Sequence, residues 1–275
     1  MKSEHMPKSD QKSHWEEVFS QETAFFGDEP SDFAKNSLEL LRQEAVHDVL
    51  ELGCGQGRDT FYLARNGLQV TALDYSDTAV AAILKRAATA GLSSMVTAQA
   101  HDVRRPLPFP DASFDACYSH MLLCMDLSTA EISFILGEIH RVLRPGGLVV
   151  YSVRSDLDKH YRAGTHLSED IYKIGDFVVH FFAAEKIRIL AEGYDILGID
   201  RLEEGSLPRD LYCVSMKKWT IAETLPSAPC KENEMANPLD KFQEFMDAAL
   251  APGALDHKTK QLVALGAALA AGCDP

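Results

Sequence analysis

Val49-Leu50-Glu51-Leu52-Gly53-Cys54-Gly55-Gln56-Gly57 decides how the rest of the chain is read. A short apolar run ends in three glycines spaced GxGxG, and GRDTFYLARNG (57–67) continues with helical spacing. Strand, glycine turn and helix together open an α/β sheet. Glycines let the backbone turn sharply and approach a ligand closely. The helix behind them offers a positive N-terminus. In an open α/β sheet such a turn faces the crevice where ligands bind. The spacing differs from the GxGxxG of dinucleotide dehydrogenases, which counts against hydride transfer.

Outward from that turn, strands and helices alternate. HDVLEL (47–52), QVTALD (69–74), MVTAQAHD (95–102), SFDACYSH (113–120) and LVVYSV (148–153) read as strands. Between them, 57–67 and SDTAVAAILKRAATAG (76–91) read as helices, the second capped by Ser76 and stopped by Gly91. STAEISFILGEIHRVL (128–143) is amphipathic, with Glu131 three residues after Ser128 as in a capping box, and Arg-Pro-Gly-Gly ends it. Upstream, Ser31 caps a helix reaching about Arg42, and the aromatic cluster Trp15, Phe19, Phe25, Phe26 predicts a short helix and a loop. Downstream, 154–183 reads as a long His- and Asp-rich connection, followed by a helix at 184–193. DILGIDRLEE (195–204) and DLYCVSMKKW (210–219), joined by a short turn, predict an antiparallel hairpin at the sheet edge. Residues 1–14 are expected to be disordered, 220–238 to be a linker, and 239–275 to form two amphipathic helices split by Pro252-Gly253.

The 275 residues carry a net charge of -14, a hydrophobic fraction of 46% and a charged fraction of 25%, as in an ordinary globular protein. An acidic chain without a basic block argues against nucleic acid and against anionic membranes as partners. No apolar run approaches the roughly 20 residues of a membrane span, and the polar N-terminus lacks the apolar core of a signal peptide. The expected location is the cytoplasm. Six scattered cysteines (54, 117, 124, 213, 230, 273) are then expected as free thiols. The histidines show no metal-ligand spacing, so no metal site is expected.

Two acidic residues stand in register with the glycine turn. Asp74 ends the second strand, where a carboxylate can accept both hydroxyls of a ribose. Asp102 ends the third, within reach of an adenine amino group. With these in place, the chain resembles a class I S-adenosylmethionine-dependent methyltransferase of the broad type 11 group. ELGCGQG resembles motif I and ALDYS motif II. AHDVRRPLPFPDASFDACYS and EIHRVLRPGGLVVYS resemble the segments that follow. The similarity covers about 15–219 and implies a Rossmann-like, seven-stranded, mostly parallel sheet with helices on both faces and an antiparallel last strand, here followed by a helical tail.

Carried over residue by residue, the resemblance implies that Gly53, Cys54, Gly55 and Gly57 form the loop facing the methionine moiety of S-adenosylmethionine, with Glu51 ordering it. It implies Asp74 on the ribose, Tyr75 against the adenine, Asp102 and Val103 at the adenine edge, and His120 next to the sulfonium. Methyl transfer from a sulfonium is an in-line displacement, so the protein mostly aligns acceptor, methyl and sulfur. A general base is needed only where the acceptor carries a proton at neutral pH. The acceptor pocket of such enzymes is usually built from the N-terminal segment and the insert after the fifth strand. Trp15, Phe26, Arg154 and His166, with Arg209 from the hairpin, are therefore candidates for binding a small-molecule or inorganic acceptor. GTHL (164–167) and EEGSLPR (203–209) faintly resemble tellurite-resistance and thiopurine-type methyltransferases. The cysteines match no arsenite-methyltransferase pattern and are expected to pack in the core.

The tail, 239–275, resembles the start of a carboxymuconolactone decarboxylase-like domain, whose usual "GCDPC" would supply a second cysteine one residue after Pro275. Continuation of the reading frame is expected, one specific cause being a UGA codon for selenocysteine. A sensor that binds S-adenosylmethionine without catalysis, and a redox protein centred on the tail, remain alternatives, and a homo-oligomer is admitted.

Overall fold

The computed structural model describes residues 9–205 and 209–219. The linker and tail expectations for 220–275 lie outside the described residues. The helices are α1 (Ser9–Gln21), α2 (Asp32–Gln43), α3 (Arg58–Arg65), α4 (Asp77–Thr89), α5 (Thr129–Val142) and α6 (Ala184–Leu190). Seven strands form the main sheet: β1 (Asp48–Leu52), β2 (Gln69–Asp74), β3 (Val96–Ala100), β4 (Phe114–His120), β5 (Leu143–Arg154), β9 (Tyr194–Glu204) and β10 (Arg209–Lys218). A second, three-stranded sheet holds β6 (Thr165–Ser168), β7 (Ile171–Ile174) and β8 (Phe177–His180).

The main sheet runs β3-β2-β1-β4-β5-β10-β9. Pairing is parallel from β3 to β5, and β10 is antiparallel to both β5 and β9. This is the expected Rossmann-like α/β sheet with one reversed strand. The order switches direction at β1, where the chain leaves the sheet through the glycine turn, and an open sheet has its ligand crevice at that point.

Alternation along the strands feeds two cores. Val49, Val70, Ala72, Tyr118 and Val150 pack with Phe33, Leu38 and Leu41 of α2, Phe61 and Leu63 of α3, and Ile83 of α4. Their neighbours Leu50, Leu73, Cys117, Val149 and Tyr151 face the opposite way, against Ile132, Ile135 and Ile139 of α5 and Ile187 of α6. Helices therefore cover both faces. The caps are the expected ones: Ser31 accepts from the Ala34 N–H, Ser76 from Ala79, and Ser128 with Glu131 closes a capping box.

Three features differ from the sequence reading. Residues 9–14, expected to be disordered, belong to α1, because the helix is held by tertiary contacts described below. The connection 154–183 contains β6, β7 and β8. Strands of four residues are too short to show an alternating pattern. Their two-residue links, Glu169-Asp170 and Gly175-Asp176, place Glu169 at φ 46° and Gly175 at φ 60°, and Gly-Asp was a readable hairpin signal. The Arg-Pro-Gly-Gly break is a bulge at the start of β5: the register with β4 shifts between Phe114 and Ala116, which pair with Leu143 and Leu148.

Candidate active site

The glycine turn leaves β1 beneath a cavity of about 540 Å3, a size suited to a small-molecule ligand. Gly53 sits at φ +73°, and a Cβ there would lie 2.8 Å from Cβ of Leu122. Only glycine meets both conditions. Gly53, Cys54 and Gly55 line the cavity, but Gly57 does not. Gly57 begins α3 at φ +85°, and a Cβ there would lie 2.9 Å from Ile83. Its role is close packing of helix on helix.

Two carboxylates organise this turn. Asp74 accepts the Gly55 N–H at 2.9 Å and the Ser76 N–H at 2.9 Å, tying the turn to the head of α4. Burial pushes the Asp74 carboxyl up, while the Ser76 and Gly55 amides pull it back. Glu51 is buried and accepts the Thr60 hydroxyl at 2.6 Å. Burial raises it to about 8, and Asp59 and Asp74 add to the rise, so it is largely protonated at neutral pH. Tyr75, Asp102 and Val103 line the same end of the cavity. Asp102 is gripped by Arg104, Nε to Oδ1 at 2.9 Å and Nη2 to Oδ2 at 2.6 Å. Against the burial that would push it up, that guanidinium holds Asp102 below the ordinary carboxylate range.

His120 ends β4 in the middle of the cavity. Its ring stacks on Phe33, and Nδ1 lies 2.7 Å from the Ser152 hydroxyl. Burial lowers His120 to about 4, so the imidazole is neutral. Ser152 already accepts the Met121 N–H, which leaves its own proton for Nδ1. We assign the ring proton to Nε2 on that basis. Nε2 then faces Oε2 of Glu204 across 3.5 Å. Met121, at φ 58°, makes the turn that follows.

Beyond His120 the lining changes character. Arg58, Arg154, Glu204 and Arg209 form one part, and Trp15, Phe19, Phe25, Phe26 and Phe177 another. Arg154 is buried and committed to Asp158, at 2.8 and 2.9 Å, beside His160. Arg58 lies 3.5 Å from Glu204 and 3.6 Å from Asp59. Asp59 in turn accepts Ser31 Oγ at 2.7 Å and Tyr118 Oη at 2.8 Å. The Arg209 guanidinium has no hydrogen-bond or ion-pair partner among the described residues. Burial and the neighbouring Arg154 charge lower its pKa, so an anion beside it is favoured.

The aromatic wall is carried by α1 and the loop behind it. Trp15 lies 5.9 Å from the rings of both Phe26 and Phe177. Glu16 fixes this helix to the head of α4, accepting the Asp77 N–H at 2.7 Å, the Ser76 hydroxyl at 3.0 Å and the Thr78 N–H at 3.2 Å. Tyr75 donates to the Gln11 carbonyl at 3.2 Å. Gln56 bridges the loop, donating to the Glu22 carbonyl and accepting the Phe25 N–H at 2.8 Å.

Of the residues singled out from sequence, His166 lies elsewhere. It is exposed in β6, with Nε2 2.8 Å from the Glu169 carbonyl, and does not line the cavity. Trp15, Phe26, Arg154 and Arg209 do line it. Sequence reasoning missed Arg58, Gln56, Asp59 and Glu204. Arg58 and Asp59 directly follow the glycine turn and were findable by position; Glu204 is placed by the hairpin and gave no signal. Among the described residues, no group of three or more His, Cys, Asp or Glu side chains is placed to hold a metal ion. Nor is any helix among the described residues long and apolar enough to cross a membrane. Cys54, Cys117 and Cys124 are buried free thiols.

The residues suit the group that the sequence pattern implies: a glycine turn open to the cavity, with Asp74 at the end of β2 and Asp102 just after β3 alongside it. Residues 49–147 match a methyltransferase domain family, and 238–275 match the carboxymuconolactone decarboxylase family. An uncharacterised methyltransferase of Synechocystis is 33% identical over 119 residues, 42% of this chain and 51% of that protein. The malonyl-[acyl-carrier protein] O-methyltransferase of Erwinia billingiae is 40% identical over 109 residues, 39% of each. The chain thus spans about half or less of the length of these relatives. The fold is similar to that of the 1,6-didemethyltoxoflavin-N1-methyltransferase of Burkholderia thailandensis, at a TM-score of 0.60 and 19% identity, covering 77% of this chain and 88% of that one.

Proposed function

The chain carries a class I S-adenosylmethionine-dependent methyltransferase domain, and from that premise we propose that the protein methylates a small-molecule or inorganic acceptor. One observation carries the reading. The cavity runs unbroken from the Gly53–Gly55 turn, past His120, to Arg209 and the aromatic wall. A binding-only sensor would need no room beyond the cofactor. Bound S-adenosylmethionine supplies an activated methyl group on a sulfonium.

The protein's part is positioning. The Gly53–Gly55 backbone and Asp74 hold the amino-acid and ribose portions. Asp102, Val103 and Tyr75 border the adenine. His120, neutral and held by Ser152, presents Nε2 where acceptor and methyl meet.

The test is S-adenosylhomocysteine release with a panel of acceptors: tellurite, selenite, arsenite, small thiols, amines and carboxylates. Release is expected with one class, and Asp74→Ala should weaken S-adenosylhomocysteine binding at least tenfold, about 1.4 kcal/mol. Tight cofactor binding without release from any acceptor would favour the sensor. Absence of cofactor binding would sink the reading.

A further inference from the structure

We propose that the acceptor is an amphipathic organic anion, an apolar hydroxy- or amino-carboxylate, with its anionic group on Arg209 and its methylated oxygen or nitrogen against Glu204. This rests on the methyltransferase reading above and narrows it.

Three observations converge. First, Arg209 is a cavity-lining guanidinium without a partner among the described residues. It stands opposite Glu204 at the mouth of the β9–β10 hairpin, yet the ion contacts of Glu204 run to Arg58 and His120. Arg154, the nearby alternative, is already taken by Asp158. An unpaired cation half withdrawn from water is costly unless a counter-anion completes it, and a planar carboxylate matches a guanidinium fork.

Second, Glu204 lines the cavity with 12% of its side chain exposed, and its Oε2 accepts no hydrogen bond. It lies 3.5 Å from His120 Nε2, outside good hydrogen-bonding distance. A carboxylate held by such long contacts is completed by a ligand that brings an O–H or N–H to its exposed side. That proton is the one methyl transfer displaces. The acceptor's oxygen or nitrogen forms the bond to the methyl carbon, and the carbon–sulfur bond breaks with its electron pair staying on sulfur. The proton passes to the Glu204 carboxylate, which burial holds above its ordinary range and so makes a better base.

Third, the cavity wall contains rings that the fold leaves open. Phe25, Phe26 and Phe177 keep 36%, 41% and 37% of their surface exposed. Together with Trp15 they offer an apolar face that a bare inorganic oxyanion would leave uncovered, whereas an aromatic or aliphatic body covers it.

The experiment uses the full chain and calorimetric titration. S-adenosylhomocysteine is titrated first; if it fails to bind, the methyltransferase reading falls, and this proposal with it. On the S-adenosylhomocysteine-loaded protein, three acids are then compared: 3-hydroxyphenylacetate, anthranilate and 3-hydroxydecanoate. Each is set against its primary amide and against its parent lacking the hydroxyl or amine. At least one acid is expected to bind tenfold or more tighter than its amide and several-fold tighter than its parent. Arg209→Gln should abolish the preference over the amide, and Arg209→Lys should keep most of it. Glu204→Ala should abolish the preference over the parent while leaving the first intact. If the cofactor product binds but no acid does, or acids and amides bind alike, or the preferences survive both variants, the proposal is wrong.

Discussion

Gly53 shows how tightly a single position is constrained here. Its positive φ and the 2.8 Å approach of Leu122 are separate obstacles to a side chain. Gly53→Ala is expected to cost about 1–3 kcal/mol in a denaturant titration through backbone strain, plus the clash. Leu122→Gly in the same chain, which removes that Cβ, should recover the steric part only. Glu51 makes a prediction of opposite character, since it is buried for its proton. Its ordinary value is 4.5 and its folded value about 8. Between these pH values the folded chain holds a proton that the unfolded chain has lost, so the stability it contributes is full below pH 4.5 and lost as pH rises through about 8. Glu51→Gln should flatten that fall in urea titrations run across pH 4.5–8. The glycine turn, Glu51, Asp74 and Asp102 were legible because they lie at the ends of strands that announce themselves. His166 misled, because a histidine in a polar stretch does not disclose which way a short strand turns it. Glu204 was invisible: its importance comes from Arg58 and His120, 146 and 84 positions away in sequence.

At the level of elements, α1 is the most informative case. Its local sequence is weakly amphipathic and part of it read as disordered. The order comes from Glu16, which acts as a borrowed cap on α4, and from Tyr75 and the Phe177 ring. Glu16→Ala should remove about 0.5–2 kcal/mol of capping. Amides of 9–21 should then exchange at least tenfold faster in hydrogen-exchange mass spectrometry while those of β1 and β4 hold. If α1 exchange is unchanged, the helix is held by its rings alone. Helices α2, α4 and α5 were readable from Ser31, Ser76 and Ser128, because a cap is a local signal. The β6–β8 sheet was not, because its order rests on pairing across two-residue turns rather than on a run of apolar residues.

At the scale of the molecule, the parallel pairing followed from the alternation of strands and helices, and the antiparallel β9–β10 pair from the short link between 204 and 209. The structure brings the two ends of the fold to one cavity. The side of the cavity that holds the glycine turn comes from residues 51–104. The opposite wall comes from α1, from Phe177 and from the hairpin at Glu204 and Arg209. α1 belongs to both, since Glu16 sits on the Ser76–Thr78 turn and Trp15 on the far wall. A helix shared in this way imposes a sequence of events in time. The wall that greets the second substrate is complete only when α1 lies on the Tyr75–Thr78 turn, where the same helix also closes over Tyr75, so for the proposed methyl transfer the expected order is cofactor first and its spent form last. Product inhibition reads this directly. S-adenosylhomocysteine should compete with S-adenosylmethionine and act as a mixed inhibitor toward the acceptor, and Glu16→Ala should loosen that compulsory order toward a random one.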